Sequence, residues 1–220
     1  MRINRFVALS TGMSRRAADT VIQDGRVRVD GQQAEAGTQA EVNARVTLDG
    51  KLLKPPTSFQ TIILNKPEGY VVSRDGQGSK TIYELLPPDM SPLKPVGRLD
   101  KDSSGLLVLT NDGGLSNQLT HPSFYKIKNY EVTLDKPLQP LHHQMISDMG
   151  IRLKDGPSKL QLDRLKDGDD NQWKITMHEG RNRQIRRTFD ALGYTVTKLH
   201  RTDFGDYHLG DLTMGSWRAV

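Results

Sequence analysis

At positions 54–60 the run KPPTSFQ interrupts every periodic pattern in a chain of 220 residues. Consecutive prolines have no amide donors and a restricted φ, so neither a helix nor a central strand continues through them. The chain is therefore expected to fold as two pieces, residues 1–57 and 58–220, each burying its own apolar side chains.

The leading piece is regular. RINRFVALSTG reads as a short helix. In SRRAADTVIQDG, Ser14 is placed to cap a second helix, and Ala17, Ala18, Val21 and Ile22 share one face at helical spacing. Gly25 is placed to end it. RVRVDG and RVTLDG then alternate as strands do, each closing on Asp-Gly, a pair that tolerates the positive φ of a tight hairpin. Helix, helix, strand, strand is a small α+β unit. Residues 1–57 carry nine Lys or Arg against six acids. Arg15, Arg16, Arg26 and Arg28 gather around one helix start and the following strand, which reads either as a solvated helix end or as a face for phosphate.

After the proline pair the elements mix. TIILN, LLVLT, NYEVTLD, QWKITMHEG and YTVTKLHR read as strands, and KPEGY as a turn. LQPLHHQMISDMG and RNRQIRRTFDALG read as helices, the latter ending at Gly193. The larger piece is expected to be α+β, a mixed, mostly antiparallel sheet flanked by helices.

Composition removes several chemistries. There is no cysteine, which excludes disulfides, thiol catalysis and cysteine-held metals. His142 and His143 are adjacent and diverge, and His121, His178, His200 and His208 are scattered without HExxH spacing, so no metal site is expected. The nucleotide-binding patterns GxxxxGK[ST] and GxGxxG are missing, as is GxSxG. A net charge of +5 and a pI near 9.4 suit a polyanionic partner. No run of eighteen apolar residues and no signal-type apolar core occur, so a cytoplasmic protein is expected.

Carboxylates, tyrosines and arginines remain. In GRLDKDSSGLLVLTNDG (97–113), Asp100 and Asp102 stand two residues apart before an apolar strand. Local chemistry does not distinguish them, and an Asp-rich turn is the plainer reading. An acid/base pair of the glycosidase kind usually draws its carboxylates from separate elements. EGRNRQIRR (179–187) puts four arginines, Arg181, Arg183, Arg186 and Arg187, into seven residues at a helix start. Cations there oppose the helix dipole unless an anion meets them. Helical spacing predicts that Arg183 and Arg187 face together with Arg186 apart, and that Ile185 and Phe189 are buried.

Together these segments resemble bacterial ribosomal RNA pseudouridine synthases of the RsuA/RluB type. GRLDKDSSGLLVLTNDG is similar to the family core G-R-L-D-x-D/N-[ST]-x-G-L. LNKPEGY (64–70), KNYEVTL (128–134), EGRNRQIRR and KLHRTDFG (198–205) follow in the family's order. The first fifty residues resemble the S4-like RNA-binding domain that commonly precedes this catalytic domain.

The resemblance implies that uridine in ribosomal RNA is isomerised to pseudouridine without metal or other cofactor. The glycosidic bond to nitrogen 1 is broken, the uracil turns while bound, and it is rejoined through carbon 5. Asp100 then matches the essential carboxylate and Asp102 does not. Tyr130 matches the ring that stacks on the base, Arg186 the partner of the carboxylate, and Leu199 an apolar neighbour of the site. Arg98 matches a position that holds RNA and helps extrude the base. Lys66, Pro67 and Gly69 match a largely architectural motif, with a phosphate contact expected at Lys66. Arg181, Arg183 and Arg187, with Arg15, Arg16 and Arg26 of the leading piece, complete the expected RNA contacts. The carboxylate's route, by attack on sugar or base or by removal of a sugar proton, stays open at this level.

Arg183 stands where small-subunit (16S) enzymes of the family usually carry histidine. The expected substrate is therefore 23S rRNA, free or in a pre-ribosomal particle, and a 16S target is the alternative. A monomer is expected. Position 5 is Arg where many related S4-like domains have Lys, a change that keeps the charge. GSWRAV offers no basic tail of the kind some relatives carry. Two other readings compete: a non-catalytic rRNA-binding or assembly protein, and a glycoside or nucleoside hydrolase using both Asp100 and Asp102.

Overall fold

The computed structural model describes residues 1–41, 43–55 and 58–220. It separates into two units, Met1–Phe59 and Gln60–Val220. Of the anticipated linker at 54–60, Pro56 and Thr57 lie outside the described residues.

In the first unit, α1 (Ile3–Thr11) buries Ile3, Phe6 and Val7, spaced by three and four along one face, and Ala8 beside them. It ends at Gly12 in the left-handed conformation (φ 77°). The Ser14 hydroxyl accepts a hydrogen bond from the Ala17 amide at 3.1 Å and so caps α2 (Arg15–Gln23). Only Ala18 and Ile22 of its expected four-residue face are buried; Val21 is half-buried and Ala17 is exposed. Strands β1 (Val27–Val29), β2 (Gln32–Gln33), β3 (Val46–Leu48) and β4 (Lys51–Leu52) form an antiparallel sheet in the order β2-β1-β3-β4. Both Asp-Gly pairs make the hairpin turns: Asp30 and Gly31 have φ of 51° and 87°, and Asp49 and Gly50 have 50° and 79°. Two positive φ values in succession match the right-handed twist of the flanking strands.

The second unit is built on a nine-stranded sheet. In chain order its elements begin with β5 (Thr61–Lys66), β6 (Lys94–Pro95), β7 (Ser104–Thr110), α3 (Gly113–Thr120) and β8 (Lys128–Leu134). There follow α4 (Pro140–Gln144), β9 (Ile151–Leu153), β10 (Gly156–Ser158), β11 (Gln161–Arg164) and β12 (Gln172–Met177). The last are α5 (Gln184–Asp190), β13 (Val196–Phe204), β14 (Tyr207–His208) and β15 (Trp217–Ala219). The sheet runs β11-β12-β8-β13-β7-β5-β15, with β14 on β13 and β6 on β7, while β9 and β10 form a separate hairpin. Every pair is antiparallel except β13 with β7. This is the mixed, mostly antiparallel α+β arrangement that the pattern predicts.

β7 is buried along its whole length because both of its faces are covered. Leu107 and Leu109 join the main core with Ile62, Leu64, Val132 and Ile175. Leu106 and Val108 pack on the other side with Ile63, Val96 and Leu119. The helix expected in LQPLHHQMISDMG is α4 followed by a wider turn over Met145–Met149, closed by a hydrogen bond from the Gly150 amide to the Met145 carbonyl. The helix expected from Arg181 is shorter than its pattern: α5 starts only at Gln184, after Arg183 in the left-handed region (φ 48°, ψ 32°).

Gly105 has no substitute. At the parallel seam Arg201 lies opposite Gly105. A Cβ on Gly105, whose φ is +104°, would stand 2.2 Å from the Arg201 carbonyl oxygen. The strands meet over only two residue pairs, His200 with Ser104 and Arg201 with Gly105, and then diverge.

Candidate active site

The loop Gly97–Ser103 between β6 and β7 is held from below by its own backbone carbonyls. Lys66, the last residue of β5, is fully buried. Its Nζ donates to the carbonyls of Pro67 (3.0 Å), Asp100 (3.1 Å) and Ser103 (2.7 Å). The Ser103 amide donates to the Asp100 carbonyl at 3.1 Å, and the Gly69 amide to the Lys101 carbonyl at 2.7 Å. The KPEGY turn thus clasps the loop main chain and leaves the side chain of Asp100 to project. Burial pulls the Lys66 ammonium down to a pKa of about 8, opposed by the nearby charges of Glu68, Asp100 and Asp102. The expected phosphate contact at Lys66 is corrected: a fully buried ammonium engaged by three carbonyls is out of reach of RNA.

The two aspartates are sorted by the arginines opposite them. Arg183 donates to both carboxylate oxygens of Asp102, at 2.9 and 3.0 Å, while its Nη1 lies 3.6 Å from Asp100 Oδ2. Arg186 Nε lies 3.4 Å from Asp102 Oδ2, and its Nη2 donates to the Asp102 carbonyl at 2.5 Å. Arg186 Nη1 donates to the Val196 carbonyl at 2.7 Å, which ties α5 to β13. The Arg183 hydrogen bond, and after it the Arg186 and Arg183 charges, hold Asp102 below the usual carboxylate range against its partial burial. Arg186 therefore pairs with Asp102 rather than with Asp100, contrary to expectation. The cause is local: the left-handed turn at Arg183 swings its guanidinium back over the loop, and Arg186 reaches the same carboxylate from the first turn of α5.

Asp100, with 37% of its side chain exposed, faces a cavity of about 570 Å³ within the second unit. That is ample for a nucleotide-sized ligand. Asp102 is not among the lining residues. Arg98, Tyr130, Arg183 and Leu199 are. Tyr130 and Leu199 are buried, on the adjacent strands β8 and β13. Arg98 is exposed, and its side chain has no hydrogen bond or ion pair among the described residues.

The remaining arginines of EGRNRQIRR are anchored to the β9–β10 turn. Arg181 donates to the carbonyls of Asp155 (2.9 Å), Gly156 (3.1 Å) and Pro157 (2.7 Å), and to Asp155 Oδ1 (3.0 Å). Arg187 bonds both oxygens of Asp155, at 3.0 and 2.8 Å. Arg183 and Arg187 consequently do not face together as helical spacing suggested, since Arg183 precedes the helix. The anions that the basic segment needs are carboxylates of this chain, Asp102 and Asp155. Ile185 and Phe189 are buried as expected.

In the first unit, Arg26 is engaged by both oxygens of Asp49, at 3.0 and 2.6 Å, and Arg28 by the Gly31 carbonyl at 3.0 Å. Arg15 is exposed, with a long contact of 3.4 Å to Asn4. The exposed side chain of Arg16 has no partner among the described residues. The basic face there is narrower than four arginines.

Two cations escaped sequence reasoning. Lys128 and Arg201 line the same cavity. Arg201 stands two residues beyond Leu199 and directly opposite Tyr130, and Lys128 stands two residues before Tyr130, so the period-two rule places all four on one face. That spacing was the available signal. Among the described residues no group of three His, Asp or Glu side chains is placed to hold a metal, and no helix is long and apolar enough to cross a membrane.

Residues 60–191 match the family described as RNA pseudouridylate synthase, and residues 1–46 match the S4 domain. A ribosomal large subunit pseudouridine synthase B of Yersinia pestis is 36% identical over 230 residues, covering all of this chain and 72% of the relative. A ribosomal small subunit pseudouridine synthase A of Pasteurella multocida is 34% identical over 223 residues, covering all of this chain and 96% of the relative. A crystal structure of a pseudouridylate synthase aligns at a TM-score of 0.71 with 33% identity, covering all of this chain and 96% of the other.

Proposed function

Since the chain belongs to the RNA pseudouridylate synthase family and carries an S4 domain ahead of the matching region, we propose that it isomerises uridine in ribosomal RNA, with Asp100 as the catalytic carboxylate. The observation that carries this assignment is the sorting of the two aspartates. Asp102 is neutralised by Arg183 and Arg186, whereas Asp100 opens onto the cavity with, among the described residues, one ion contact at 3.6 Å. A hydrolase using both carboxylates needs Asp102 free, which this arrangement disfavours.

The uridine leaves its stack in the folded RNA at a cost of a few kcal/mol, and the ring of Tyr130 receives the base and offsets part of that cost. Leu199 closes the apolar side. Arg98, exposed at the cavity mouth, meets the RNA that the base has left. Arg183, 3.6 Å from Asp100, takes the role of nearest charge partner that the family pattern suggested for Arg186. The unit over residues 1–57 adds affinity, with the exposed Arg15 and Arg16 among its cations.

For the substrate we favour 23S rRNA, on the arginine at position 183. Relatives named for the large and for the small subunit stand at similar identity, 36% and 34%, so 16S rRNA is the alternative. Pseudouridine mapping of both rRNAs from cells with and without the gene tests the reading. The expected result is one or a few sites lost from 23S rRNA. Loss confined to 16S rRNA overturns the target, and no loss in either overturns the function.

A further inference from the structure

The cavity that Asp100 faces has a second charged wall, Arg201 and Lys128, and neither of their side chains forms an ion pair among the described residues. Arg201 is only 2% exposed, yet its one hydrogen bond among the described residues runs from Nε to the Leu106 carbonyl at 2.8 Å. Its Nη2 is buried without a partner. That single bond falls where β7 and β13 diverge, so Arg201 fills the opening between them. Lys128 Nζ has no hydrogen bond or ion pair among the described residues. It lies 5.2 Å from the centre of the Phe204 ring, which the Arg201 guanidinium approaches to 4.9 Å. Two like charges therefore crowd one aromatic ring. Burial and then the Arg201 charge push the Lys128 pKa down, opposed by the charge of Glu179.

The nearby carboxylates are committed elsewhere. Glu179 accepts from Gln184 and Arg181. Asp203 accepts from His208 at 2.6 Å and Thr202 at 2.6 Å. A cation buried without a counter-ion is costly, and a fold that keeps Arg201 buried beside the half-exposed Lys128 in one cavity holds the pair ready for an external negative charge.

Their position narrows what that charge is. Arg201 lies opposite Tyr130 on the neighbouring strand, on the face shared with Leu199, deep in the floor of the cavity. An RNA backbone meets a protein at its surface, whereas a floor between the base-holding residues meets the edge of the base. We propose that Arg201 and Lys128 contact the carbonyl oxygens of the extruded uracil and stabilise the negative charge it carries while detached from the sugar. The inference rests on the pseudouridine synthase reading above. When the N1–C1′ bond breaks, its electron pair stays on the uracil and spreads onto the ring oxygens. The C5–C1′ bond then forms with a pair from the ring, C5 gives up its proton and N1 gains one, so no co-reactant is required. Donors fixed where charge develops accelerate such a step without reorganising.

The test uses the purified full chain in single turnover on 23S and 16S rRNA transcripts, with RNA affinity measured in parallel over a salt series. Lys128→Met is expected to slow pseudouridine formation at saturating enzyme by roughly 100-fold. Its RNA affinity should stay within about twofold and its salt slope unchanged, and Lys128→Arg should recover most of the rate. Arg201→Lys should behave as Lys128→Met, with its fold checked by urea denaturation. Lys128 is half-exposed at the cavity and keeps the test informative if the Arg201 variant fails to fold. Weakened affinity and a flatter salt slope at an unchanged rate overturn the proposal in favour of a phosphate contact. Unchanged rate and affinity overturn it in favour of packing alone. A wild-type chain that forms no pseudouridine overturns instead the functional reading beneath it.

Discussion

Arg183 bonds both oxygens of Asp102 at 2.9 and 3.0 Å while standing 3.6 Å from Asp100, so one guanidinium fixes one carboxylate and accompanies the other. Asp102 gains a structural partner and is turned away from the cavity. Asp100 keeps its exposure and its access to the cavity.

Asp100→Asn is expected to abolish pseudouridine formation and to keep RNA affinity. Asp102→Asn should leave measurable activity and cost about 1 kcal/mol or less in stability, because half-exposed ion pairs are screened by solvent. Single-turnover assays and urea denaturation of both variants check this. Equal inactivation would remove Asp100 from its place as the sole catalytic carboxylate.

Gly105→Ala is expected to destabilise the second unit by roughly 3 kcal/mol or more, since its Cβ meets backbone that cannot yield and its φ is in the left-handed range. Gly113→Ala, in open space at the start of α3, should change stability by less than about 1 kcal/mol. Urea midpoints of the two variants give the comparison, and a tolerated alanine at 105 would show that the seam yields.

Lys66 titrates near 8 in the folded chain against an unperturbed value of 10.5. The unfolded chain therefore binds more protons between these values, and stability from this group rises with pH across that window. Below pH 8 the cost of burying the charge is present in full. Denaturation at pH 7 and pH 10 should show the wild type gaining relative to Lys66→Met as pH rises. A constant difference would mean that the ammonium is not perturbed.

Replacing Arg15 and Arg16 together by glutamine should weaken rRNA binding and lower the salt slope by about 1 to 2, the contribution of two phosphate contacts. Arg26→Gln, which breaks the pair with Asp49, should leave the slope unchanged. Binding isotherms at several salt concentrations decide the point, and a larger effect from Arg26 would invert the assignment.

Much of this architecture was legible where short-range rules govern. The two Asp-Gly hairpins, the Ser14 cap and the buried strands follow from turn geometry and side-chain period alone. The site was less legible because its contacts join distant segments. Periodicity could place Arg183 and Arg187 together only if both stood on the helix, and the left-handed turn at Arg183 removes one of them. Lys66 reads as a surface lysine until the loop at 97–103 folds over it. The spacing of Arg201 from Leu199 shows their shared face, but its place opposite Tyr130 is set by the register of two strands far apart in sequence.

The two-residue seam between β7 and β13 has a consequence for biosynthesis. It joins His200 to Ser104 across a sequence separation of 96, and Arg183 reaches Asp102 across 81. Contacts of that span form late, after the loop closures they require. During translation the strand that follows Asp100 leaves the ribosome without the β13 edge it will pair with. The nascent chain thus carries the Asp100 loop without its β13 neighbour until the residues up to Phe204 have emerged, and that short seam is among the last contacts to close.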